Sequence, residues 1–560
     1  MNKFWLDHYP EDVVHEINPD TYKNLGSIIE QSAEKFSDKK AVTCMGSSLT
    51  FTELNQLAEQ FASFLQQKLS LKKGDKLAIM LPNTPQYLLA LFAAFKIGVI
   101  VINVNPLYTP KELSDQINNS GAETILLLEN FGHTLEKALP NIHIKNIIIS
   151  KIGDLLPFPK KTLVNLVVKY VKKMVPAFTL PNSISLTSAL DEGKKCKRQE
   201  VEVTGEDIAF LQYTGGTTGV PKGAILTHRN VVANVLQGKS FVEKRFAKEK
   251  VTTMILPLPI YHIYALTLSL FMISFGIEDV LIVNPRDLKT FVKVLKQTDY
   301  KGFIGLNTLF HALLNNPEFR KLKFPKRFYT IAGGMSVKPN VAKEWKEVTG
   351  SPIVEGYGLT EASPIITLNP IDITEFDGTI GHPMPSIDID VRDENGNSVG
   401  IGQPGELCVK GPNIMKGYWE NPEETAIIFT DDGWMRTGDI VEMREDGKIK
   451  ILDRKKDMIN VGGFNVFPNE VEEVLLEHPD IVEAAVVGAP DEHSGEMVQA
   501  FIVSKRSGLT QEEVLSHCEK TLTGYKRPHK VIFKNELPKS AVGKVLRAKL
   551  KEPQMEGQSH

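Results

Sequence analysis

Apolar and polar positions follow two alternating rhythms along this 560-residue chain. Short unbroken apolar runs, too brief for helices, are closed by turn residues and followed by segments of helical spacing. Residues 74–83 (GDKLAIMLPN) read as a strand and turn, the next segment TPQYLLALFAAFKIG as a helix stopping at Gly98, and VIVINVNP as a second buried strand. ETILLLEN, DVLIVNP and GFIGL repeat the strand signature downstream. Wholly apolar strands alternating with helices predict parallel sheets covered on both faces. From Ile387 the texture changes to short strands and turns (IDIDVRDENGNSVGIGQPGELCVKG). It then returns to a helix (NEVEEVLLEH), two strands (EAAVVGAP, VQAFIVSK) and a helix (TQEEVLSHCEKTL). The predicted fold class is α/β: a large N-terminal domain of flanked sheets plus a β-rich subdomain, then a small α+β C-terminal domain. The charged run 453–457 marks the boundary, giving domains 1–453 and 454–560.

Two stretches raise the question of a membrane. Residues 251–277 carry no charge and are long enough to span one. Pro257, Pro259 and His262 interrupt them and no basic cluster flanks them, so a buried strand followed by a buried helix is expected. Residues 159–176 (PKKTLVNLVVKYVKKMVP) instead place Leu163, Leu166, Val167, Tyr170 and Met174 at helical spacing, with Lys169, Lys172 and Lys173 beside them. Two readings stay open there: a helix packed on the body, or a basic amphipathic helix on an anionic membrane surface.

Composition narrows the rest. With 65 Lys and Arg against 68 Asp and Glu, the chain is nearly balanced, which disfavours a nucleic-acid partner. Four scattered cysteines form no CxxC pair, so neither a disulfide framework nor a zinc site is expected and a reducing cytoplasm fits. The start MNKFWLDHYPEDVVHE lacks the basic and apolar regions of a signal peptide, so cytoplasmic location is the expectation.

The densest chemistry lies in LQYTGGTTGVPKGAILTH, residues 211–228. Thr214, Gly215, Gly216, Thr217, Thr218 and Gly219 let backbone N–H groups and hydroxyls approach an anion closely, and Lys222 adds a mobile positive charge. A Walker A loop would put Lys directly after its last Gly, whereas here Lys222 precedes Gly223. By its residues alone the loop is either a phosphate cradle of another scheme or a flexible Gly/Thr surface turn.

Together with EGYGLTEASP (355–364), GWMRTGD (433–439), DRKKD (453–457) and PKSAVGKVLR (538–547), this loop resembles the motif series of the adenylate-forming superfamily. That superfamily comprises acyl-CoA synthetases, luciferases and peptide-synthetase adenylation domains, and the motifs occur in its order. The resemblance implies that Thr214, Thr217, Thr218 and Lys222 grip the β- and γ-phosphates of ATP. Glu361 and Thr214 would hold Mg2+, as hard oxygen donors suit that ion. Tyr357 would stack on adenine and Thr360 bind the α-phosphate, with Gly334, Glu355, Gly356 and Gly358 completing the nucleotide set. Asp439 would accept from the ribose hydroxyls and Arg454 donate there. Lys544 would bridge the carboxylate and the α-phosphate, offsetting repulsion between two anions.

The same resemblance implies two half-reactions. A mobile C-terminal domain would turn about Lys456, withdrawing Lys544 and admitting the CoA thiol along Gly462, Gly463 and Phe464. Gly462 stands where the family often has Ser, and Ser540 where Thr is common. His262, in PLPIYHIYAL, would lie near the substrate carboxylate, and Tyr264, Gly333 and Gly334 near the acyl chain, with residues 304–314 as the region for an apolar tunnel. No acid stands in LPIYHIY to hold an ammonium group, which disfavours amino acids. Residues 432–472 resemble bacterial long-chain fatty-acid–CoA ligases. The expected activity is therefore AMP-forming ligation of a long-chain fatty acid to CoA with Mg-ATP. A medium-chain or aryl acid ligase, a fatty-acyl-AMP ligase and a non-catalytic fatty-acid-binding protein are the alternatives. The expected location is cytoplasmic with reversible attachment to the inner membrane face. Many relatives are homodimers, but no sequence feature sets an interface.

Overall fold

The computed structural model describes residues 3–214, 221–491, 493–539 and 545–551. The chain divides into two compact units, residues 2–388 with 409–435, and residues 389–408 with 436–560.

The larger unit is built on two sheets. In the first, the strands run in the order Ile184–Ser185, Asn146–Ser150, Thr124–Leu128, Lys76–Met80, Ile100–Asn103, Ile208–Thr214 and Lys222–Thr227. All neighbours are parallel except the last pair, a hairpin. The nine-stranded second sheet has a parallel centre, including Thr253–Leu256, Gly302–Gly305, Tyr329–Ala332 and Ile353–Gly358, with antiparallel strands at both ends. Helix Pro85–Lys96 is buried on every face, as a segment apolar all round should be. Behind the second sheet, Phe303, Phe310, Phe319 and Phe328 pack around Trp345.

Residues 251–277 resolve into strand Thr253–Leu256 and the buried helix Ile263–Phe275. Among the described residues no helix is long and apolar enough to cross a membrane. Residues 159–176 form helix Lys160–Leu166 and a wider π turn Val167–Val171, and neither contains a buried residue. Val164, Val167 and Val168 are half-buried, so the helix rests on the body without entering its core.

The smaller unit carries a four-stranded sheet of Asp388–Arg392, Pro404–Lys410, Met435–Met443 and Ile449–Arg454. The RDENGN segment is the turn expected of it: Asp393 Oδ1 accepts from the N–H groups of Asn395 and Asn397, both at 2.9 Å. A second sheet orders Phe464–Val466, Ile459–Val461, Gly495–Ser504 and Ile481–Asp491, with Lys530–Phe533 parallel to Gly495–Ser504. Helices Pro468–Leu476 and Gln511–Cys518 bury Val471, Leu475, Val514 and Cys518 against Val486, Val498 and Ala500. Residues 436–453 thus group with the C-terminal part of the chain, ahead of the 453–457 run.

Candidate active site

The phosphate-loop residues sit at the mouth of a hairpin. Thr214 ends one strand, Lys222 begins the next, and the two are register partners. The connecting residues Gly215, Gly216, Thr217, Thr218 and Gly219 lie outside the described residues. Lys222 Nζ is 2.7 Å from Glu424 Oε2, with its side chain largely buried, and 5.8 Å from the centroid of the Tyr418 ring. Backbone bonds fix this neighbourhood: Ile225 N–H donates to Gly417 O (2.9 Å) and Trp419 N–H to Gly223 O (2.8 Å).

The turn Thr360–Ala362 touches both hairpin strands. It carries Glu361, whose Oε1 accepts from Tyr418 OH at 2.6 Å, while Met415 N–H donates to Glu361 O at 2.8 Å. Burial, then the Glu361 charge, pushes the Tyr418 phenol up, so it stays a donor. Glu361, Tyr418, Lys222 and Glu424 therefore form one continuous polar group at the hairpin mouth. Tyr418 and Glu424 were invisible as site residues in the sequence, since MKGYWENPEE carries no pattern distinguishing them from turn residues. The Glu361 carboxylate retains acceptor sites beyond the Tyr418 bond, and with the Thr214 hydroxyl it supplies the hard oxygen donors that Mg2+ favours. Just upstream, strand Ile353–Gly358 pairs with Ile365–Leu368, setting Tyr357 opposite Thr367. A Cβ on Gly358 would lie 2.1 Å from Pro364 O, and one on Gly356 2.8 Å from Leu368 Cδ1. These two glycines bring backbone together.

Of the expected acyl-site residues, Tyr264 and Gly333 meet, and His262 stands at the start of the helix that carries Tyr264. His262 caps helix Ile263–Phe275 and lies against Tyr261, ring centroids 4.8 Å apart. Desolvation pushes the imidazole down to about 4, so it is neutral at physiological pH. The preceding turn hangs on a buried chain: Tyr87 OH donates to Asn103 Oδ1 (2.6 Å), Asn103 Nδ2 to Gln212 Oε1 (2.7 Å), and Gln212 Nε2 to Tyr261 O (3.1 Å). Tyr264 OH donates to Ile331 O at 3.2 Å, and a Cβ on Gly333 would lie 3.0 Å from the Tyr264 ring. Gly334 follows at φ +79°, a left-handed turn that glycine adopts freely. The loop is pinned by Glu355, whose Oε1 accepts from Val337 N–H at 3.1 Å. Burial, with Asp377 adding, pushes the Glu355 carboxyl up to about 8. Phe310, Leu313 and Leu314, within the 304–314 region, are fully packed into the Trp345 core.

In the smaller unit, Asp439 and Arg454 are register partners on adjacent strands, with Arg454 Nε 3.4 Å from Asp439 Oδ1. The acceptor and donor expected at one ribose are thus side by side. Lys456 lies in the turn Lys455–Asp457, and burial, then Arg454, holds its ammonium below the usual lysine range. Asp453 Oδ2 accepts from Asn469 N–H (2.7 Å), and Arg547 reaches Asn469, Glu472 and Asp457. Gly462 and Gly463, at φ +57° and +89°, make a two-residue hairpin turn, and Phe464 stacks on Tyr525 with centroids 4.8 Å apart. Lys544 and Ser540 lie outside the described residues, but their loop springs from a closed base: Lys539 bridges Val545, and Leu546 N–H donates to Pro538 O at 2.8 Å.

Comparison with known proteins agrees with this geometry. Residues 29–419 match the AMP-binding enzyme family and residues 470–544 the AMP-binding enzyme C-terminal domain. The long-chain-fatty-acid–CoA ligase of Escherichia coli O157:H7 is 49% identical over 555 residues, covering 99% of this chain and 98% of that one. The ligase of the same name from Yersinia pestis is 48% identical over 556 residues, with 99% of both chains covered. Among solved structures, ATP-bound MatB from Rhodopseudomonas palustris is 27% identical at a TM-score of 0.76, covering 94% of this chain and 98% of that one. The anthranilate CoA ligase AuaEII, at 23% identity and a TM-score of 0.81 over 95% and 98% of the two chains, shares the fold. By its motifs, its two matched regions and these full-length relatives, the chain belongs to the AMP-binding enzyme family.

Proposed function

We propose that the chain is an AMP-forming long-chain fatty acid:CoA ligase. The carrying observation is the hairpin mouth, where Thr214 and Lys222 are register partners and Tyr418, under Lys222, holds Glu361. A carboxylate is a poor acyl donor because oxide would have to leave. In the first half-reaction a carboxylate oxygen of the acid attacks the α-phosphorus of ATP, the bond to the β-phosphate oxygen breaks, and pyrophosphate leaves. In the second, the CoA sulfur attacks the acyl carbon, the C–O bond to AMP breaks, and the thiol proton is lost.

Residues of the chain supply orientation and charge compensation for both steps. Thr214 and the loop after it hold the phosphates; Lys222 exchanges its Glu424 partner for them. Glu361 and Thr214 are the residues that would hold Mg2+, which neutralises phosphate charge when bound. Neutral His262 offers a hydrogen bond to the substrate carboxylate without fixing it as an ion pair. Tyr357 stacks on adenine, and Asp439 with Arg454 binds ribose. Lys544 bridges the reacting anions, then leaves as the chain turns about Lys456. Gly462, Gly463 and Phe464 line the path of the thiol. The full-length likeness to ligases named for long-chain fatty acids favours that substrate class. An insoluble substrate also favours a cytoplasmic enzyme that attaches reversibly to a membrane surface.

Pyrophosphate release is measured with ATP and acids from acetate to oleate, with and without CoA. Release that rises with chain length and needs CoA for sustained turnover is expected. Release without CoA dependence would indicate an acyl-adenylate donor to another acceptor, and none with any acid would overturn the enzymatic reading.

A further inference from the structure

Residues 158–174 turn apolar side chains to solvent. Phe158, Leu163, Leu166, Tyr170, Val171 and Met174 are 86%, 62%, 49%, 65%, 73% and 53% exposed. Three of them, Leu163, Leu166 and Tyr170, recur at the three- and four-residue spacing that lines one side of a helix, and Met174 follows just past its end. Ordinary surface helices spend such a stripe on the core; this one does not.

The segment is nonetheless fixed to the body, by polar bonds. Lys160 Nζ donates to Met45 O and, at 3.2 Å, to Ser47 Oγ. Gly153 N–H donates to Asn165 Oδ1 (2.8 Å), and Asn130 Nδ2 to Met174 O (2.8 Å). Both ends and the middle are therefore tied down while the apolar side chains stay outside.

Charge says what covers them. Lys160, Lys161, Lys169, Lys172 and Lys173 lie in this stretch, and residues 155–190 contain no Asp or Glu. Lys160 is turned inward to Met45 and Ser47; of the other four, Glu129 acts on Lys169 and Asp287 on Lys172 from neighbouring segments, which leaves the segment net basic. Apolar side chains beside a wholly basic charge set match the acyl–headgroup boundary of an anionic bilayer. The seven-residue helix and five-residue π turn are far too short to cross it.

We infer that residues 158–174 form a foot seating the protein on anionic phospholipid, with the six apolar side chains entering the headgroup boundary and the lysines meeting lipid charge. This rests on the ligase reading only for its purpose, since a long acyl chain partitions into the same bilayer; the seating itself is independent of catalysis.

The test uses the full chain without ATP, acid or CoA, sedimented with vesicles of phosphatidylcholine alone or with phosphatidylglycerol added. Binding is expected only with the anionic lipid and should weaken with salt. Lys169→Glu/Lys172→Glu/Lys173→Glu should lower the partition coefficient by on the order of a hundredfold, each lysine being worth about fivefold at such a surface. Leu163→Ser/Tyr170→Ser/Val171→Ser should abolish binding while leaving the melting temperature and the ligation of octanoate in solution unchanged. Undiminished sedimentation of both variants would overturn the proposal. So would a wild-type dimer in analytical ultracentrifugation that the serine variant converts to monomer, because a second copy would then cover the patch. Failure of the wild-type protein to ligate octanoate and oleate alike would count against the ligase reading and leave the foot standing.

Discussion

Replacing Gln212 with Leu tests whether the buried amide chain holds the His262 turn. Gln212 and Asn103 are 3% and 4% exposed, and Tyr87 is fully buried. The substitution keeps the volume approximately and removes two bonds, from Asn103 Nδ2 at 2.7 Å and to Tyr261 O at 3.1 Å. An orphaned buried donor or acceptor costs about 1–3 kcal/mol, so the pair costs about 2–6 kcal/mol. The more apolar side chain returns roughly 1–2 kcal/mol, leaving a net loss of about 0–5 kcal/mol with its middle near 2.5. Because Tyr261 O is the last acceptor before His262, the turn should also relax, and kcat/KM for the acid should fall by about tenfold or more, about 1.4 kcal/mol of barrier. Denaturation by urea, followed at the first transition because the chain has two compact units, reads the stability term; steady-state pyrophosphate release reads the second. A loss below about 0.5 kcal/mol with unchanged kcat/KM would show that the turn holds itself and that the chain is only core packing.

Three further outcomes follow from the same structure. Tyr418→Phe deletes the 2.6 Å bond to Glu361 while keeping the ring under Lys222; KM for Mg-ATP should rise by about tenfold, the value of a hydrogen bond to a charged group, with melting nearly unchanged. An unaltered KM would remove Tyr418 from the site. Glu355 has its carboxyl raised from the ordinary 4.5 to about 8, so its contribution is full below about pH 4.5 and is lost as pH rises through about 8. Glu355→Gln keeps the acceptor for Val337 N–H without the charge, so melting curves should show the variant gaining on the wild type from mildly acidic to alkaline pH; parallel curves would refute a protonated Glu355. Lys544→Ala should abolish pyrophosphate release, while thioester formation from supplied acyl-adenylate survives; equal loss of both half-reactions would reassign the residue.

Periodicity made the sheets legible because buried parallel strands tolerate no polar interruption. ETILLLEN, DVLIVNP and GFIGL became the strands Thr124–Leu128, Glu278–Leu281 and Gly302–Gly305. The amphipathic spacing of 159–176 was equally legible, but spacing reports only that a face is apolar, not what lies against it. Polar anchors at Lys160, Asn165 and Met174 O decide that outcome, and each depends on a residue at least twelve positions away. The site shows the same division. Motif residues such as Thr214, Tyr357 and Asp439 are found from short contiguous strings, because the contacts proposed for phosphate, adenine and ribose come from strands and the residues beside them. Tyr418 and Asn103 lie outside every such string, and Gln212, although inside LQYTGG, shows nothing there of its bond to Tyr261 O. They act on those strings from 57, 109 and 49 residues away, and the partners become neighbours only through the sheet order. A linear pattern contains the groups proposed to touch substrate. The groups that hold them in place are properties of topology, which is why substitutions at Tyr418 and Gln212 are the sharper trial of the fold's role in the chemistry.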